Sequence, residues 1–327
     1  MARDGAQLAT MPLHPQSQAM LDRIHRRGTT PFHDLSIEEM RHESQKMHFG
    51  FRPDAPAVAE AGELALARPD GPTLDARYYR AAGTGNVEAL PLLVWFHGGG
   101  WTIGDLASYD VLCRELANKA RCAVASVAYR LAPEHKFPAA VEDADFALQW
   151  FLDHAGDIAV DARRIAVGGD SAGGNLAAVA CLLARDRGGA QPCFQLLVYP
   201  ATDQRGLRSS HTLFSDGYLL TQASIRRFQN CYFHSEAERA DWRASPLLAP
   251  DLTGLPPALV LTAEYDPLVD DCLAYAERMR AAGVDVTYSC YAGMIHAFFA
   301  LGKMFDDANR AVDEAAAALA QAFSRVV

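Results

Sequence analysis

Ser171 stands in Gly169-Asp170-Ser171-Ala172-Gly173, between the apolar run Arg164-Ile165-Ala166-Val167 and the helix-forming Asn175-Leu176-Ala177-Ala178-Val179-Ala180. That order predicts a strand, a sharp turn and a helix. Glycines on both sides of the serine let the chain turn without Cβ clashes, so the hydroxyl is exposed at a sheet edge as a candidate nucleophile. The spacing is not G-x-G-x-x-G, which argues against a dinucleotide loop. A second glycine cluster, His97-Gly98-Gly99-Gly100-Trp101, follows the apolar run Leu92-Leu93-Val94-Trp95-Phe96. Acyl transfer develops negative charge on a carbonyl oxygen, and a glycine-rich turn presents backbone N–H groups to it without side chains in the way; losing one such donor costs about 2.7–4 kcal/mol of barrier. The donors expected are the N–H groups of Gly99, Gly100 and Ala172, with His97 and Gly98 completing the motif.

A serine nucleophile needs a base and a group that orients it, and on a strand-turn-helix elbow these follow in the order acid, then histidine. Downstream of Ser171 the histidines are His211, His234 and His296, and only His296 is preceded by a strand-then-acid pattern. That pattern is Pro257-Ala258-Leu259-Val260-Leu261-Thr262-Ala263-Glu264-Tyr265-Asp266-Pro267, with Asp266 in the turn after the strand and Pro267 at the first position of the next helix. Glu264, Asp270 and Asp271 are rival carboxylates. His296 itself falls in a loop, Tyr291–Phe299, after the strand-like Val284–Cys290. The remaining histidines, His97 and His48 among them, read as surface or supporting groups.

The chain resembles the bacterial hormone-sensitive-lipase-like esterases, family IV of the α/β-hydrolase fold. The resemblance is carried by His97-Gly98-Gly99-Gly100-Trp101, Gly169-Asp170-Ser171-Ala172-Gly173, Asp266-Pro267-Leu268 with Asp270-Asp271, and Met294-Ile295-His296. The run Tyr129-Arg130-Leu131-Ala132-Pro133-Glu134-His135-Lys136-Phe137-Pro138 is similar to a further family motif, and Asp170 points to the GDSAG branch. Where the family commonly has glycine after the histidine, this chain has Ala297, which would narrow the pocket locally. The resemblance implies an α/β-hydrolase fold with a helical cap, and hydrolysis of short- to medium-chain carboxylic esters through an acyl-enzyme on Ser171, His296 and Asp266. Two other classes stay open: an amidase or deacetylase on the same triad, and a non-catalytic receptor like the plant gibberellin receptors, which have lost the histidine that this chain keeps.

From residue 63 onward strand and helix patterns alternate, at Glu63–Arg68, Leu74–Tyr79, Leu92–Phe96, Ser108–Ala120, Ala123–Tyr129, Phe137–Leu152, Arg164–Val167, Ala172–Asp186 and Gln195–Tyr199, then again at Ala258–Thr262, Asp285–Ser289 and an alanine-rich Met304–Phe323. Such alternation predicts an α/β architecture, a mostly parallel sheet with helices on both faces. Residues 51–202 and 244–327 are then two parts of one catalytic domain. Residues 1–50, read as helices near Pro15–Arg27 and Ser36–His48, and the insertion 203–243, with a helix over Ala223–Phe233, are the cap. Trp101, Phe32, Phe214 and Tyr218 are the expected substrate-binding residues, with Phe49 and Leu213 as further wall candidates.

At 327 residues and 50% hydrophobic content the chain has enough apolar material for such a core. With 40 acidic against 30 basic residues, a net charge of −10 and no basic cluster beyond pairs such as Arg26-Arg27, nucleic acid is not an expected partner. Seven cysteines without a C-x-x-C pair suggest free thiols in a reducing compartment, and no ligand spacing calls for a metal or other cofactor. The N-terminus lacks the apolar core of a signal peptide, and no apolar run reaches the ~18 residues of a membrane helix. A cytoplasmic enzyme acting on a small-molecule ester is expected, and a homodimer is compatible with the sequence.

Overall fold

The computed structural model describes residues 12–69, 71–85 and 89–326; the first eleven residues of the expected cap lie outside them. Strand β1 (Glu60–Leu66) pairs antiparallel with β2 (Leu74–Arg80). The chain then alternates through β3 (Leu90–Phe96), β4 (Ala123–Val127), β5 (Val160–Asp170), β6 (Phe194–Val198), β7 (Ala258–Tyr265) and β8 (Val286–Ile295). The eight strands form one sheet in the order β1-β2-β4-β3-β5-β6-β7-β8, antiparallel at β1/β2 and β2/β4 and parallel beyond. In chain order the helices are α1 (Pro15–Arg26), α2 (Ile37–Phe51), α3 (Asp110–Ala120), α4 (Ala139–Asp153), α5 (Ala172–Arg187), α6 (Ser210–Leu213), α7 (Gln222–Tyr232), α8 (Val269–Ala281) and α9 (Asp306–Arg325).

Because successive strand residues face opposite sides, the fully buried β3 feeds two cores. Leu92, Val94 and Phe96 pack with Leu148 and Phe151 of α4 and Leu176 of α5. Leu93 and Trp95 pack with Leu112 and Leu116 of α3 and Leu319 and Phe323 of α9. The register sets where the loops emerge. Phe96 lies beside Gly169, Asp170 beside Val198, and Val198 beside Leu261, so the turns after β3, β5, β6 and β7 leave the same carboxyl edge. A register shift late in β7 sets Tyr265 opposite Ile295, which makes Asp266 and His296 the next residues of neighbouring strands.

Helix α2 starts where its sequence dictates: the Ser36 hydroxyl accepts from Glu39 N–H at 3.2 Å and the Glu39 carboxylate accepts from Ser36 N–H at 2.8 Å. Arg41 then fastens α2 to the edge, donating to the carbonyls of Thr102 at 3.0 Å and Ala132 at 3.1 Å and forking onto Glu134. Helix α1 docks next to β8: His14 N–H bonds the Gly293 carbonyl at 3.0 Å, and a Cβ on Gly293 would sit 2.6 Å from that nitrogen. On the far side, Lys136 donates to the carbonyls of Asn230 and Phe233, satisfying the open C-terminus of α7. Arg130, in the same run, holds the fully buried Asp143 together with Arg68. That run therefore fastens the α7 end and the sheet margin.

Candidate active site

Between β5 and α5 the backbone at Ser171 takes φ 53° and ψ −116°, a region that non-glycine residues seldom occupy. The close approach of β3, β5 and α5 enforces the turn: a Cβ on Gly173 would lie 1.9 Å from the Phe96 carbonyl oxygen, and one on Gly169 would lie 2.4 Å from Gly173. Hydrogen bonds from Ser171 N–H to Val198 O at 2.9 Å and from Ala201 N–H to Ser171 O at 3.1 Å tie the elbow to β6. The Ser171 hydroxyl lies 3.0 Å from His296 Nε2, and His296 Nδ1 lies 2.6 Å from Asp266 Oδ2. The other oxygen of Asp266 accepts from Leu268 N–H at 2.9 Å, so the buried carboxylate is held from both sides. Tyr199 covers the imidazole, ring centres 4.6 Å apart.

The glycine loop after β3 divides its N–H groups. Gly98 N–H donates to Asp170 Oδ1 at 2.8 Å and lies 3.1 Å from the Tyr109 hydroxyl, which itself donates to Asp170 Oδ2 at 2.9 Å. Among the described residues the N–H groups of Gly99, Gly100 and Ala172 have no hydrogen-bond partner, and all three residues line one cavity. Burial pushes the Asp170 carboxyl up to about 6, against the pull of the Tyr109 hydroxyl and Gly98 N–H. His97 lies beneath the loop, its Nδ1 2.8 Å from the Gly98 carbonyl and its ring stacked on Tyr129; burial pushes it down to about 4, so it stays neutral near pH 7. It braces the loop.

The cavity over Ser171 has a volume of about 110 Å³. Phe32 and Trp101 line it as expected from the sequence, and Trp101 is clamped by Tyr232 of α7, rings 4.4 Å apart and nearly parallel. Phe214 and Tyr218 do not line it: they pack on each other and on Tyr265, ring centres 5.4–5.5 Å apart. Phe49, 43% exposed, lies under the Arg52 guanidinium, and Leu213 is 55% exposed, so neither forms a wall. The walls come instead from Ser44, Met47 and His48 on α2 and from Ser224, Ile225, Phe228 and Gln229 on α7, with Gln204 between. Each set has the three- and four-residue spacing of one helix face, a signal present in the sequence but shared with ordinary core faces. His48, read as a surface or supporting group, is buried against Tyr109, and burial lowers its pKa. Ala297 lines the cavity in a left-handed conformation, φ 68°, which glycine adopts with less strain.

Residues 93–300 match the family model described as the alpha/beta hydrolase fold. The chain is 46% identical to the carboxylic ester hydrolase LipN of Mycobacterium tuberculosis over 81% of its length and 71% of that protein. It is 37% identical to the ethyl acetate hydrolase of Pseudomonas putida over 89% and 92% of the two chains. The structure superposes on a hyperthermophilic esterase from the archaeon Pyrobaculum calidifontis with a TM-score of 0.89 at 37% identity, covering 97% of this chain and 100% of the other. The chain belongs to the hormone-sensitive-lipase-like ester hydrolases of the α/β-hydrolase fold.

In this hydrolase the rival carboxylates are engaged elsewhere. Glu264 accepts from Gly293 N–H at 2.8 Å and Asp270 from Ser210 N–H at 2.8 Å. Asp271 pairs with His211 Nε2 at 2.7 Å and lies 3.2 Å from Arg208 Nε. Among the described residues no group of three His, Cys, Asp or Glu side chains is placed to hold a metal ion, and no helix is long and apolar enough to cross a membrane. All seven cysteines are free thiols.

The His211–Asp271 pair joins the 203–243 insertion to α8, and it makes stability depend on pH. Burial alone would lower the His211 pKa, but the Asp271 carboxylate outweighs it and the net direction is upward from 6.5. A raised histidine pKa stabilises the fold fully below the unfolded value and loses that contribution as pH rises through the folded value. Thermal melts of wild type and His211→Gln between about pH 5.5 and pH 9 should differ most at the acid end, and the gap should narrow as pH rises through the folded-state value. A gap that stays constant with pH would contradict a charged His211.

Proposed function

We propose that this hydrolase cleaves short- to medium-chain acyl esters through an acyl-enzyme on Ser171. His296 Nε2 takes the proton as Ser171 Oγ attacks the ester carbonyl, and Asp266 holds the imidazole in the tautomer that leaves Nε2 free to accept it. The tetrahedral oxyanion forms against the N–H groups of Gly99, Gly100 and Ala172. His296 then gives its proton to the departing alkoxide, and water, deprotonated by the same imidazole, releases the acid. One observation carries the reading. An unbroken contact chain runs from Ser171 through His296 to Asp266, at 3.0 and 2.6 Å, beside three unpartnered N–H groups in one cavity.

Residues 1–50 and 203–243 act as the cap, a reading supported by the α2 and α7 side chains in the cavity wall, over a catalytic domain formed by residues 51–202 and 244–327. The free thiols support a reducing, cytoplasmic setting.

A panel of nitrophenyl esters from acetate to decanoate, with matching anilides, tests the reaction class. Hydrolysis of the shorter esters, with anilides far slower, is the expected result; anilides cleaved at comparable rates would move the assignment to an amidase. If α2 bounds the acyl space, Met47→Trp should lower kcat/KM on hexanoate relative to acetate by about 10-fold or more, since each methylene in an apolar pocket is worth roughly 1–3 kcal/mol. An unchanged chain-length profile would remove α2 from the pocket.

A further inference from the structure

The cavity wall is not uniformly apolar. On α7, Phe228 packs against the glycine loop so closely that a Cβ on Gly100 would lie 2.4 Å from its ring, whereas Gln229 on the same helix face meets Gln204. Gln204 follows three residues after Ala201, whose N–H is bonded to the Ser171 carbonyl, so the glutamine pair lies close along the chain to the elbow. Both glutamines line the cavity and are only 5% exposed.

Their orientation follows from their partners. Gln229 Nε2 donates to the Gln204 backbone carbonyl at 2.8 Å, and Gln204 Nε2 donates to the Ala201 carbonyl at 3.2 Å. A carbonyl oxygen only accepts, so each amide must turn its NH2 toward that carbonyl and its Oε1 away. Neither Oε1 has a donor among the described residues. Neither Oε1 is among the fully buried side-chain atoms that lack a partner, so each keeps access to water-sized space and stays free to accept, whereas leucine or methionine would line an apolar pocket without an acceptor. Among the described residues no lysine or arginine lines the cavity, so none of them favours an anionic group there.

We infer that Gln204 and Gln229 are specificity-determining acceptors, and that the preferred substrate is a neutral ester carrying a free hydroxyl group, either on the alcohol side as in a partial ester of a diol or polyol, or on the acyl chain. The inference rests on the ester-hydrolase reading of the same cavity. In it the substrate hydroxyl donates to one of the two Oε1 atoms, and a methyl group in its place loses that hydrogen bond.

Two isosteric pairs separate the sources of the hydroxyl: hydroxyethyl butyrate against propyl butyrate for the alcohol side, and ethyl β-hydroxybutyrate against ethyl isovalerate for the acyl side. In wild type the hydroxylated member of one pair should have the higher kcat/KM by about 10-fold or more, because a site that hydrogen-bonds a hydroxyl discriminates strongly against an analogue lacking it. Gln229→Leu and, separately, Gln204→Met should bring that ratio toward one. Reading the ratio within each enzyme removes any general loss of activity, and two variants guard against one that fails to fold. A wild-type ratio near one in both pairs, or a ratio that survives both substitutions, would overturn the inference while leaving the ester-hydrolase reading standing. Failure to hydrolyse any ester, nitrophenyl acetate included, would instead overturn that reading.

Discussion

Ser171→Ala is expected to lower kcat on a nitrophenyl ester by a factor on the order of 10⁴ to 10⁶ while the protein melts as wild type does, and His296→Ala should do nearly the same. The two side chains act as one unit: without the hydroxyl there is no nucleophile for the imidazole to activate, and without the imidazole, 3.0 Å away, the hydroxyl keeps its proton. The double variant should therefore lose little beyond either single one, and that non-additivity is the sharper test. Residual activity above the uncatalysed rate should survive in all three, because the N–H groups of Gly99, Gly100 and Ala172 are backbone and remain. Alanine at position 171 keeps the strained turn, since φ 53° is imposed by the packing of β3, β5 and α5. A folded Ser171→Ala protein with near-wild-type turnover would remove Ser171 as the nucleophile.

Much of this architecture was legible because the sheet core is written in short, strongly apolar runs. Leu92–Phe96, Ala123–Val127 and Ala258–Thr262 are buried on both faces, and such short continuous runs are what a central strand produces. Boundaries were less legible where a polar or glycine residue interrupts the pattern. Strand β8 runs on to Ile295 instead of ending near Cys290, because Gly293 takes φ 70° and lets the strand continue across the docked α1. His296 is thus placed by the end of a strand and not by a free loop. Helix α8 begins at Val269, two residues later than Pro267 suggested, because the Asp266 carboxylate first captures Leu268 N–H in a turn.

The cavity wall was the least legible part. Phe214, Tyr218 and Phe228 are all aromatic residues of one insertion, and nothing local distinguishes them. Which of them faces Ser171 is decided across the chain: Tyr265 at the end of β7 draws Phe214 and Tyr218 together, while the bare backbone of Gly100 admits the Phe228 ring. The α2 face is similar. Ser44, Met47 and His48 have ordinary helix spacing, and they reach the cavity only because Arg41 fastens the helix to the carbonyls of Thr102 and Ala132. Apolar patterning predicts that a face is covered, not whether protein or substrate covers it.

Asp266→Asn should reduce kcat by a factor of about 10⁴ with little change in fold, and the geometry shows why an isosteric change is so costly. Leu268 N–H can only donate, so it will hold the oxygen of the introduced amide where it now holds Oδ1 at 2.9 Å. The amide NH2 is then turned toward His296 Nδ1, in the place of the Oδ2 that lies 2.6 Å away. Facing a donor, Nδ1 must become the acceptor, which moves the ring proton to Nε2, 3.0 Å from Ser171 Oγ, where a base is required. The imidazole keeps its position but presents the wrong tautomer. Asp271→Asn, Asp270→Asn and Glu264→Gln leave that tautomer alone: their carboxylates face His211 and Arg208, Ser210 N–H and Gly293 N–H, so any effect should fall on stability and KM more than on kcat. Steady-state kinetics on the four variants decide the matter. A loss of kcat at Asp270, Asp271 or Glu264 as large as that at Asp266 would show that another carboxylate orients the base.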